Sequence, residues 1–179
     1  MAGVLLSIGC GLLAPASAAA QTTRWSVTGA GCVPTGQTAA SPGTFNSAGD
    51  AKFPAGRLGE IILTCPIPSS LSSASRLGVT YRDTDGRGTG VQVRAVLRQK
   101  SLDSGSVSDI GLPFDSNDFE PAAQNVRRFA QIANVCNTNR PFVFDHTNFT
   151  YYIQVNMSKR RRDQDALVAS VDLGPIPIC

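Results

Sequence analysis

Apolar and polar positions alternate along most of the chain, most clearly from Leu77 to Gln99. Leu77, Val79 and Tyr81 share one face of the first arm, with Arg76, Gly78, Thr80 and Arg82 on the other. On the second arm Val91, Val93, Ala95 and Leu97 point one way, while Gln92, Arg94, Val96 and Arg98 mostly face water. A period of two marks strands with one dry and one wet face. The polar, glycine-rich stretch between the arms predicts a central hairpin.

The same rhythm recurs. Arg24 to Thr28 predicts a short strand with Trp25 and Val27 inward, and Ala51 to Phe53 a brief one. Leu58 to Cys65 places Ile61, Leu63 and Cys65 on one face, and the prolines that follow have no N–H to continue a ladder. Gly105 to Leu112 is a weaker strand, and Pro113 to Gln124 reads as an exposed loop. Asn125 to Val135 suits a helix through Val126, Phe129, Ile132 and Ala133, or alternation through Val126, Arg128, Ala130 and Ile132. The β pattern around it favours the strand.

Phe142 and Phe144 suggest a short strand. Thr150 to Ser158 is a clear one, with Tyr151, Ile153, Val155 and Met157 inward. Leu167, Ala169, Val171 and Leu173 define the last. About eight or nine short strands at even spacing predict an all-β, antiparallel, jelly-roll-like β-sandwich.

Composition adds a compartment. No charged side chain occurs before Arg24; Val4 to Leu13 is apolar, Pro15 follows, and Ala18 to Ala20 suits a small-residue cleavage site. Residues 1–20 therefore read as a signal peptide, leaving 21–179 as a single secreted or periplasmic domain. No Lys or Arg precedes the apolar run, which is atypical. The segment is too short to be a good membrane anchor. Cys10 follows Gly9 as in a lipoprotein signal, but its early position favours a passenger in the apolar run.

Four cysteines then remain: Cys32, Cys65, Cys136 and Cys179. An even number in an exported chain implies disulfides. Sequence leaves every pairing open; Cys32–Cys65 with Cys136–Cys179 is preferred because each bridge closes one half of the chain. Their wide spacing and the single histidine do not suit zinc, and no metal or other cofactor is expected. The net charge of +3 is mild and dispersed, which argues against nucleic acid.

Cys32-Val33-Pro34, LGEIILTCPIP, LGVTYRDTDG with VRAVLRQ, and TYYIQVNMS together resemble a group of small, uncharacterised exported bacterial proteins. The resemblance covers most of the chain after residue 20. It implies a secreted, disulfide-braced, sandwich-like domain and no activity, so no functional residue is carried over.

Candidate chemistry is sparse. Asp83 and Asp85 sit in a loop that invites a calcium reading, but Arg87 and Arg94 fall where a calcium loop needs oxygens, so a turn is favoured. Lys159, Arg160, Arg161 and Arg162 could meet an anionic surface; Asp163 and Asp165 partly neutralise them, which favours a solvated hairpin tip. Tyr152 faces opposite to Tyr151 and is the aromatic expected outside the core.

His146 is the one base a nucleophilic mechanism could use, and no G-x-S-x-G elbow accompanies it. Asp115, Asp118 and Glu120 cluster in a loop without an evident cleft. No catalytic residue is assigned. The expected function is a non-catalytic binding or surface-structural module, with envelope or extracellular polysaccharide as partner. The alternatives are a small secreted hydrolase using His146 or the loop carboxylates, and a self-assembling surface protein.

Overall fold

The computed structural model describes residues 24–35, 44–132 and 140–175. The proposed signal segment, Cys10, Cys136 and Cys179 lie outside the described residues. The described residues are nearly all antiparallel β-structure. The strands are β1 (Trp25–Thr28), β2 (Val33–Thr35), β3 (Ala51–Lys52), β4 (Gly59–Pro66), β5 (Ser73–Ala74) and β6 (Arg76–Asp83). They continue with β7 (Val91–Ser101), β8 (Val107–Asp115), β9 (Ala122–Gln131), β10 (Phe142–Val143), β11 (Phe149–Lys159) and β12 (Ala166–Gly174).

One sheet runs β1-β12-β6-β9, with β3 also on β12; the second runs β2-β4-β11-β7-β8; β5 and β10 form a small separate pair. The two large sheets stack, and their inward faces fuse into one apolar cluster. This is the expected β-sandwich. The inward positions read from alternation are buried: Leu77, Val79 and Tyr81 on β6, and Val91, Val93, Ala95 and Leu97 on β7. The same holds for Ile61, Leu63 and Cys65 on β4, and Tyr151, Ile153, Val155 and Met157 on β11. Of Asn125 to Val135, read either way from sequence, residues 125–131 belong to a strand, and that strand starts at Ala122, inside the stretch expected as an exposed loop, whose other end lies in β8.

The central hairpin does not exist. β6 pairs with β12 and β9, whereas β7 pairs with β11 and β8 in the opposite sheet. The turn at Lys159–Asp165 is likewise no hairpin tip, since β11 and β12 belong to different sheets. Alternation reveals which face of a strand is dry, but not which strand lies along its hydrogen-bonding edge.

β12 departs in register. Sequence puts Leu167 and Ala169 inward, but a ladder irregularity lies between Val168 and Ser170. Before it the core takes Ala166 and Val168; after it, Val171 and Leu173. An extra residue reverses the inward phase.

Cys32 and Cys65 form a disulfide, as preferred. Both half-cystines are buried within the apolar cluster. The bridge fastens the entry to β2 onto β4, whose ladder with β2 includes Val33 opposite Thr64.

Candidate binding face

Three sheet-to-sheet connections meet at one end of the sandwich: those after β6, β8 and β11. Asp83, at the end of β6, is 1% exposed. Its Oδ1 accepts from the Asp85 and Gly86 N–H groups at 3.1 and 2.9 Å, and its Oδ2 from the Ser116 hydroxyl at 2.5 Å. Ser116 in turn accepts from Val93 N–H at 2.8 Å. Asp85 accepts from the Gly90 and Val91 N–H groups at 2.8 and 3.2 Å. These are the side-chain-to-backbone bonds of a turn. Burial pushes the Asp83 carboxyl above the ordinary carboxylate value, opposed by its bonds to Ser116, Asp85 and Gly86.

The basic connection packs against this turn. Arg160 N–H donates to Gly90 carbonyl at 2.7 Å, and Asp165 N–H to the Thr84 hydroxyl at 2.7 Å. The structure therefore unites two loops that sequence treats separately. Arg161 pairs with Asp163 at 2.8 Å, and both are exposed. Arg160 and Arg162 are exposed, whereas Lys159 ends β11 on its inward side and is buried.

His146 and the loop acids are engaged elsewhere. The His146 ring stacks on Phe144 with centroids 5.7 Å apart and meets the edge of Tyr151 at 5.2 Å. Its Nε2 lies 2.8 Å from the Leu71 carbonyl, which assigns the proton to that nitrogen. Asp145 accepts from Asn148 Nδ2 at 2.7 Å, which lowers its pKa. Asp115 accepts from Gln92 Nε2 with both oxygens, at 3.0 and 2.8 Å, and Glu120 pairs with exposed Arg87 at 3.4 Å.

The outward face of the second sheet is a different kind of surface. On its central strand, β11, the outward positions are Tyr152, Gln154, Asn156 and Ser158, all half-buried. Across the β7 ladder they face Arg98, Val96, Arg94 and Gln92. Asp109 holds Arg98 Nε at 2.8 Å; Arg98 Nη1 donates to Gln154 Oε1 at 2.6 Å; Gln154 Nε2 donates to Asn156 Oδ1 at 2.9 Å. Each bond fixes the orientation of the next amide, so the row is pre-set before any ligand arrives. Tyr152 stands at one end of the row. Beyond the other end, Glu60, Gln92, Ser158, Lys159 and Arg160 line an open cavity of about 520 Å³.

Of the residues singled out from sequence, the structure brings Tyr152, Lys159 and Arg160 to this surface or its rim. It leaves Asp83 and Asp85 inside the turn. Sequence reasoning missed Arg98, Gln154 and Asn156 as a unit, because only the β7–β11 register places them side by side.

No family model matches the sequence, and no curated protein matches it either. Among solved structures, the chain is similar to a family two carbohydrate esterase from Cellvibrio japonicus at 13% identity and TM-score 0.39, covering 87% of this chain and 36% of that one. The chain thus spans about a third of that esterase. It is also similar to the CBM36-1 domain of a multidomain xylanase from the hindgut metagenome of Trinervitermes trinervoides, at 11% identity and TM-score 0.44, covering 87% and 99%. A third likeness is to the carbohydrate-binding module CBM36 in complex with calcium and xylotriose, at 11% identity and TM-score 0.41, covering 84% and 99%. At these scores the likenesses carry no inference about this chain.

Proposed function

We propose that this protein is an exported, non-catalytic binding module that holds a neutral, polyhydroxylated polymer along the outer face of the second sheet. The observation that carries this reading is the hydrogen-bonded row from Asp109 through Arg98 and Gln154 to Asn156, with Tyr152 alongside. A sugar ring offers hydroxyls that both donate and accept, plus an apolar C–H face. Amides and guanidinium answer the first and a phenol ring answers the second.

From Tyr152 to Ser158, the outward positions of β11 cover six steps of strand, roughly 20 Å at about 3.3 Å per residue, which suits an extended chain of several rings. Export is part of the same proposal. It rests on the apolar, uncharged N-terminal segment and on the buried Cys32–Cys65 bridge.

The test is titration of soluble plant, fungal and bacterial cell-wall oligosaccharides by calorimetry against wild type, Tyr152→Ala and Gln154→Ala. The expected outcome is binding that falls roughly tenfold or more in each variant, equivalent to about 1.4 kcal/mol. Binding indifferent to both substitutions, or absent for every neutral glycan tried, rejects the proposal.

A further inference from the structure

The opposite face, on the first sheet, carries a second feature that the reading above does not use. An open cavity of about 260 Å³ is lined by Arg24, Trp25, Ser26, Arg76, Arg127 and Asp172, among others. Its cations outnumber its one carboxylate. Arg127 grips Asp172 through two parallel bonds, Nε to Oδ2 at 3.1 Å and Nη2 to Oδ1 at 2.5 Å. That pair is locally neutral and fixes the floor. A Cβ on Gly78 would lie 2.2 Å from Asp172 Oδ2, so only glycine lets the carboxylate lie against the sheet there.

Arg76 is held differently. Its guanidinium lies over the Phe129 ring at 4.2 Å, and Arg127 approaches the same ring at 5.1 Å. No acid pairs with Arg76 among the described residues, and its Nε is buried without a hydrogen-bond partner there. That Nε is shielded from solvent, so the guanidinium, fixed by packing and unpaired with any acid among the described residues, offers its terminal nitrogens as a pre-set receptor for a planar oxyanion. Arg24 is exposed and adds, at the cavity wall, a second cation with no acid paired to it among the described residues.

We infer that this cavity binds the carboxylate of an acidic sugar. The carboxylate would lie in the fork of Arg76, with Arg24 beside it and the sugar hydroxyls toward Ser26 and the Asp172 edge. A sugar carboxylate suits the site better than inorganic phosphate, because its ring hydroxyls can also donate to the outer edge of Asp172, where an unprotonated phosphate oxygen would meet a carboxylate. The cavity is below the usual range for a drug-sized ligand, roughly 300–1,000 Å³, and fits one ring rather than a chain.

The experiment titrates the whole protein with glucuronate, glucose and inorganic phosphate, followed by calorimetry and by amide shifts in NMR spectra. Glucuronate should bind, glucose should not, and phosphate should bind more weakly. Arg76→Ala and the exposed Arg24→Gln should each weaken glucuronate roughly tenfold, Arg76→Lys should restore little of the loss, and Tyr152→Ala should leave it unchanged. Amide shifts should cluster on β1, β6, β9 and β12. No glucuronate binding, equal binding of glucose, tighter binding of phosphate, or indifference to both Arg24→Gln and Arg76→Ala overturns the inference. Because Tyr152 and Gln154 lie on the other sheet, failure of the neutral-glycan proposal leaves this result standing, and the converse.

Discussion

Single side chains show how tightly polar chemistry is fitted into this sandwich. The Tyr81 hydroxyl is buried with no hydrogen-bond partner among the described residues, and burial raises its pKa. An orphaned buried hydroxyl costs stability. Tyr81→Phe is therefore expected to stabilise the protein by about 1 kcal/mol, read as a higher urea midpoint at unchanged slope. Gly78 makes the opposite prediction. The Asp172 carboxylate that its Cβ would strike is fixed by Arg127, so it cannot simply swing aside. Gly78→Ala should cost about 1–3 kcal/mol by overpacking, and much of that should vanish when Asp172→Ala is made as well. Additivity of the two changes would show that the close approach is unimportant.

Among elements, the Cys32–Cys65 bridge fastens the short β2 to the longer β4. The double variant Cys32→Ala/Cys65→Ala should lose about 3–4 kcal/mol, estimated from closing a 33-residue separation. Chemical denaturation of the variant beside wild type checks this without disturbing the other cysteines. The inward faces of β4, β6, β7 and β11 were legible from sequence, because burial on one side imposes a period of two. That signal fails where the chain slips by one residue. It placed Leu167 and Ala169 inward on β12, whereas the irregularity beyond Val168 shifts the phase. It also says nothing about lateral neighbours, so β6 and β7 looked like a hairpin although a cross-sheet turn joins them. Neither outer face was legible for the same reason. Arg98 and Gln154 are 56 residues apart, and Arg127 and Asp172 are 45 apart. Gly78 within a strand and Asp172 in an apolar run were the signals available for the first sheet.

For the molecule as a whole, Asp83 ties the connections after β6 and β8 together, and its ionisation should govern part of the pH response. Its folded pKa is raised above the ordinary 3.8. The stability tied to its proton is thus complete below 3.8 and is lost as pH rises through the raised folded value. Asp145 and Asp163 are lowered, so their contributions are present above 3.8 and lost on acidification below it. In the interval just above 3.8, wild type should therefore lose stability relative to Asp83→Asn as pH rises, seen in urea titrations at stepped pH. A constant difference between the two proteins would refute this. Strand order has a consequence of its own. β11 and β12 come last among the described strands, yet each runs through the middle of its sheet. Until they emerge from the ribosome, β1 and β4 lack their main partners, and no partial product can close a core. Such a nascent chain stays pliable until β12 has been made, the state that the proposed export would require.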